Sequence, residues 1–145
     1  MATPAENTEK VVMARATGPF EVKLSPLTAY DAAEGSPLGR MSIDKQFHGD
    51  LEATSKGEML TGMTGVSNSA GYVAIERVSG ELGGRSGTFI LQHSGTMTRG
   101  APTLVIKVVP DSGTGELEGL TGAMAINVEG GKHSYELDYT LPESH

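Results

Sequence analysis

The sequence predicts an all-β chain folded as a single closed or nearly closed antiparallel β-barrel of about eight strands, and three observations carry that prediction. Short segments rich in β-branched and aromatic residues alternate apolar and polar at period two, the pattern of a strand with one buried face. No window longer than a turn or two has a helical period. Glycine supplies 20 of the 145 residues, roughly twice its usual share of about 7%. It is spread between the strand-like segments, where tight turns and bends call for it.

Residues 1–17 read as a poorly ordered lead-in, and residues 18–142 as the single barrel domain. Phe20-Glu21-Val22-Lys23-Leu24 is the first alternating stretch. Segment 28–37 is small, polar and turn-rich, and reads as a loop. Met41, Ile43, Phe47 and Leu51 share one phase of the next strand, with Lys45 and Gly49 in that same phase. Segment 60–68 is interrupted by Gly62 and Gly65 and is the weakest of the series. Segment 71–78 is apolar on both phases apart from Glu76 and Arg77, and 88–93, 103–109, 123–128 and 133–141 complete the count. Short strands separated by Gly and Ser turns mean a sandwich or a barrel.

An internal repeat favours the barrel. Gly80-Glu81-Leu82-Gly83-Gly84-Arg85-Ser86-Gly87-Thr88-Phe89 matches Gly115-Glu116-Leu117-Glu118-Gly119-Leu120-Thr121-Gly122-Ala123-Met124, and a looser copy starts at Gly49-Asp50-Leu51. Each copy reads as a strand end, a glycine-bearing turn and the start of the next strand, with the Leu and the Phe or Met packed inward. A recurring hairpin corner is what closure of an antiparallel sheet requires.

Charge and composition exclude several functions. The net charge is −7, from 18 acidic residues against 11 Lys and Arg, which repels polyanions and disfavours nucleic acid and anionic membrane surfaces as partners. There is no cysteine, hence no disulfide and no thiolate metal site. The first residues lack the basic start and apolar run of a signal peptide, and no stretch approaches the ~20 apolar residues of a spanning helix. A cytoplasmic protein is expected, and a homodimer is compatible with this reading. No cofactor is implied. Gly80 to Gly87 leads into a strand and not a helix, so it is no phosphate loop. Asp111-Ser112-Gly113 has the triplet of an aspartic protease but sits in a Pro-Asp-Ser-Gly turn.

Five further stretches resemble a known family. They are Phe47-His48-Gly49-Asp50-Leu51-Glu52, Ser69-Ala70-Gly71-Tyr72-Val73-Ala74-Ile75-Glu76-Arg77-Val78, Leu91-Gln92-His93-Ser94-Gly95, Val109-Pro110-Asp111-Ser112-Gly113-Thr114-Gly115-Glu116-Leu117 and His133-Ser134-Tyr135. In that order, between about residues 18 and 142, they resemble the bacterial domain-of-unknown-function family 3224, which looks like the allene oxide cyclase barrel in architecture. The resemblance implies an eight-stranded antiparallel barrel with a lumen, and it implies no activity. Plant allene oxide cyclases bind a fatty-acid epoxide and steer its cyclisation by shape, but none of their polar site residues aligns with this chain.

In a small barrel alternate residues of each strand face the lumen, so polar residues on the apolar phase are the informative ones. That rule selects Lys45, Glu76, His93, His133 and Tyr135. Glu76 and Lys45 would pair. Either histidine would exchange protons near neutral pH, and Tyr135 would donate to a carbonyl or oxyanion. The expected function is binding of a small apolar or carbonyl-bearing molecule in the lumen. The alternative is a cofactor-free isomerase, cyclase or lyase working by acid–base chemistry on these residues, and the sequence leaves open whether the barrel catalyses. Metal binding is not expected, since no His-x-His or His-Glu-x-x-His spacing exists. With only three Phe and no Trp to fill it, the lumen is expected to keep a cavity.

Overall fold

The computed structural model describes residues 10–143, and in it the period-two segments become eight antiparallel strands. These are β1 (Val11–Leu27), β2 (Leu38–Phe47), β3 (Leu51–Met63), β4 (Ala70–Leu82), β5 (Arg85–Thr98), β6 (Ala101–Val108), β7 (Thr121–Glu129) and β8 (Lys132–Pro142). They pair in chain order and close into a barrel through β1 and β8. A 3₁₀ turn at Gly115–Leu117 lies in the β6–β7 connection. No helix among the described residues is long and apolar enough to cross a membrane.

β1 does two jobs. Its first half pairs with β8, from Val11↔Pro142 to Phe20↔His133, and its second half pairs with β2, from Phe20↔Phe47 to Leu27↔Arg40. Residues 11–17 are therefore strand and not lead-in; residues 1–9 lie outside the described residues. Between Val12 and Phe20 the inward positions are Ala14, Ala16 and Gly18, side chains too small to register as an apolar stripe. β3 is the second correction, since it runs from Leu51 to Met63 and not over 60–68. Its inward positions include Ser55 and Gly57, which conceal the alternation in the sequence. Leu51 starts this strand after the turn at 48–50 and does not continue β2.

Three hairpins turn through two residues with positive φ: Gly83-Gly84, Arg99-Gly100 and Gly130-Gly131. That geometry matches the twist of the strands it joins. The repeat is realised only in part. Its first copy is the β4–β5 hairpin, but its second is a 3₁₀ turn in the long β6–β7 connection and not a tight two-residue turn. The inward packing it implied is present: Leu51, Leu82, Leu117 and Phe89 are fully buried, and Met124 is buried.

The lumen is filled at one end. Phe20, Phe47, Leu51, Val78, Leu82, Phe89, Leu91, Leu117, Leu120, Tyr135, Leu137 and Leu141 form one continuous cluster there. The Phe47 and Tyr135 rings meet edge to face at 5.5 Å between centroids, a favoured aromatic arrangement. Towards the other end the inward residues become polar and then partly exposed.

Phe89 is 1% exposed in this cluster, so Phe89→Ala is expected to cost about 3–5 kcal/mol, the usual range for a buried Phe truncated to Ala. Urea unfolding measures it, and a loss below about 1 kcal/mol would contradict the placement.

Candidate functional site

Four consecutive strands place four polar side chains at one level of the lumen. Lys45 of β2 stands opposite Ser55 of β3, Glu76 of β4 opposite Gly57 of β3, and His93 of β5 opposite Ala74 of β4. Glu76 is 0% exposed and is the hub. Its Oε2 accepts from Lys45 Nζ at 2.8 Å and lies 2.6 Å from His93 Nε2, and its Oε1 accepts from Ser55 Oγ at 2.7 Å. A Cβ at Gly57 would stand 2.1 Å from the Ile75 carbonyl oxygen and 2.7 Å from Glu76 Cβ. Only glycine lets β3 and β4 approach so closely beside Glu76.

Burial pushes the Glu76 pKa up, but the hydrogen bond from His93, the charge and hydrogen bond of Lys45 and the hydrogen bond from Ser55 outweigh it and take the pKa down to about 2. Glu76 is therefore ionised and can only accept, which puts the Nε2 proton on His93. Lys45 Nζ also lies 5.3 Å from the Phe20 ring centroid and 5.7 Å from that of Phe47, so the ammonium is held between a carboxylate and two aromatic faces. Among the described residues no buried side-chain polar atom lacks a partner, and no cluster of three His, Asp or Glu could hold a metal ion.

Three of the five residues selected from the sequence thus meet: Lys45, Glu76 and His93. The other two do not. The Tyr135 hydroxyl donates to the His48 carbonyl at 2.7 Å and accepts from the Leu51 amide at 2.9 Å. It is a brace at the filled end, tying β8 to the β2–β3 turn. Burial raises its pKa, and the Leu51 backbone opposes that. His133 packs its ring against Phe20, 5.2 Å between centroids, on a strand that leaves it only half-buried. Both lie on the inward phase of β8, but phase fixes neither the level along the axis, which sets Tyr135 apart, nor what stands between two side chains, which for His133 and Lys45 is the Phe20 ring.

Sequence reasoning missed Ser55 and Tyr72. Ser55 lies on the strand whose alternation was obscured. Tyr72 passed as an apolar core residue, although its period-two spacing from Glu76 was visible. Its hydroxyl lies 3.2 Å from His93 Nδ1, continuing the chain Glu76, His93, Tyr72 towards the open end. Burial, and then the Glu76 charge, raise the Tyr72 pKa. The ring lies over Gly95, where a Cβ would stand 2.6 Å from Tyr72 Cε1.

Beyond Tyr72 the lumen opens into a cavity of about 360 Å³. Met59, Thr61 and Met63 of β3, Ala70 and Tyr72 of β4, Gly95 and Met97 of β5, and Pro102 and Leu104 of β6 line it, with almost no polar atom on its wall. The Tyr72 ring separates this apolar chamber from the charged cluster below.

The same sequence that builds this site matches the model of the family described as "Protein of unknown function (DUF3224)" over residues 16–139. The chain belongs to the DUF3224 family. A solved DUF3224 structure from Shewanella oneidensis MR-1, itself a protein of unknown function, is 54% identical and superposes with a TM-score of 0.86. The likeness covers 92% of this chain and all of that one. No curated protein matches the chain. The DUF3224 barrel fold is thus shared, and chemistry has to be argued from the lumen itself.

The Glu76 pKa makes a directional prediction. A carboxylate lowered from 4.5 to about 2 contributes stability that is complete above pH 4.5 and disappears as pH falls towards 2. The shift corresponds to about 3 kcal/mol. Urea unfolding between pH 6 and pH 2 is expected to show this loss, and Glu76→Gln is expected to flatten it while lowering stability at neutral pH. An equal acid slope in both proteins would contradict the assignment.

Proposed function

We propose that this DUF3224 barrel binds an apolar small molecule in the chamber at its open end. One observation carries the reading: Met63, Met97 and Leu104 face the lumen and yet are 61%, 41% and 42% exposed. Large apolar side chains turned into a cavity and left to water are what a bound apolar ligand covers. Methionine adds to the argument, because its flexible, polarisable thioether shapes itself to varied apolar surfaces. The wall presents almost no polar surface and the Tyr72 hydroxyl is turned to His93, so the apolar class is favoured over the carbonyl-bearing one. Asp44, Lys56, Arg77 and Lys107, all exposed on the outward phase, suit a barrel in water, in keeping with a cytoplasmic setting. The acidic net charge supports a function without nucleic acid.

The allene oxide cyclase comparison enters at the level of architecture: eight antiparallel strands around a lumen with an apolar chamber. The isomerase, cyclase or lyase reading has less behind it. A carboxylate with a pKa of about 2 is a poor general base near neutral pH, and His133 and Tyr135 stand apart from it. The cluster of Lys45, Glu76 and His93 serves better as a rigid, charge-balanced floor.

Phenylnaphthylamine, a neutral dye that fluoresces in apolar surroundings, tests the proposal. Its emission is expected to rise and shift to the blue on addition of the protein. Met97→Glu, which puts a charge on the chamber wall, is expected to weaken binding at least fivefold with the circular dichroism spectrum unchanged. No enhancement up to the solubility limit of the dye, or equal affinity in the variant, would refute it.

A further inference from the structure

The barrel is not equally closed all round. β6 and β7 share two residue pairs, Ile106↔Met124 and Lys107↔Ala123, whereas every other pair of neighbouring strands shares eight or more. Residues 101–105 of β6 pair with β5 alone, and residues 125–129 of β7 pair with β8 alone. The two strands therefore part on the side of the apolar chamber, whose wall includes Pro102 and Leu104. Continuing the register across the gap sets Leu104 opposite Ile126 and Pro102 opposite Val128. Val128 lies on the inward phase of β7 and is 59% exposed, so an apolar track runs from the chamber through the gap.

On the reading of the preceding subsection, we propose that the β6–β7 gap is the ligand's portal, and that the ligand is a linear apolar chain. One end fills the chamber and the rest lies along Leu104, Ile126 and Val128. An unpaired strand edge also invites a peptide to add as a further strand. Pro102 opposes that, because it has no N–H to offer a ladder and sits on this edge as an interruption. A flexible chain needs no ladder and gains by covering inward apolar side chains at about 25 cal/mol per Å².

The chain has no cysteine, so a Val105→Cys, Ala125→Cys pair can be bridged on the outward face by a short bis-thiosulfonate reagent and released with a reductant. A Val73→Cys, Ser94→Cys pair across the fully laddered β4–β5 seam is the control. Stopped-flow release of phenylnaphthylamine is expected to slow at least tenfold in the bridged protein, recover on reduction, and be unaffected in the control. Alkanols of increasing length are expected to displace the dye ever more tightly from octanol to hexadecanol in the open protein, and to lose that gain when the gap is bridged. Dye that binds but leaves equally fast through a bridged gap overturns the portal and leaves the binding reading intact. Affinity that stops rising at octanol overturns the linear chain. Dye that never binds overturns the binding reading and this inference together.

Discussion

A carboxylate cannot stay ionised in a protein interior unless donors replace the water it has lost. Glu76 obtains those donors from β2, β3 and β5, one side chain from each, while standing on β4 itself. Four strands must hold their register for the cluster to exist. A slip of one residue in β4 would turn Glu76 to the outside and leave Lys45 and His93 facing an apolar lumen. The ion cluster therefore specifies the alignment of half the barrel, beyond whatever it contributes to stability. It also marks the level at which the barrel changes character. Below it, aromatic rings and leucines fill the lumen; above it, methionines, threonines and glycines leave the lumen open.

The sequence was legible where inward side chains were large. Ile43, Phe47, Phe89, Leu91, Ile106 and Leu137 all lie inward and buried, as their period-two spacing indicates. It was illegible where the inward residues were small or polar. Ala14, Ala16 and Gly18 hid the start of β1, and Ser55 and Gly57 hid the middle of β3. The candidate site follows the same logic. Phase alone brought Lys45, Glu76 and His93 to the lumen, and their shared level came from strand offsets that no local pattern encodes. Tyr135 obeys the phase rule and belongs to a different level, and His133 obeys it but is parted from Lys45 by the Phe20 ring. Tyr72 and Ser55 pass as an ordinary core aromatic and a small strand residue until their partners are in place.

Filling and hollowness are separate achievements in a barrel of this size. Leucines at the repeat positions 51, 82 and 117 seal one end, which frees the other from any role in holding the core. Glycine at 57 lets β3 and β4 approach closely beside the ion cluster, and glycine at 95 makes room for the Tyr72 ring. The same residue type thus tightens the backbone at the floor and shapes the wall above it. A chamber built this way is rigid beneath and yielding at its rim, where methionine side chains have rotamer freedom to lose. That division suits binding of variable apolar molecules better than it suits the exact placement catalysis requires.

Closure through β1 and β8 joins the two extremes of the described chain: Val11 lies beside Pro142, and the Glu143 amide donates to the Lys10 carbonyl. Seven of the eight seams join strands adjacent in the chain and can assemble as successive hairpins during synthesis. The eighth must wait until the last strand has emerged. Until then the β1 edge is unpaired, and Phe20 and Ala16 have no β8 to pack against. Such long-range pairing slows folding, because loop-closure entropy is lost before the contact repays it. Joining the two ends by a short linker and opening the chain in an exposed loop such as 28–37 would turn that late, distant step into an early, local one.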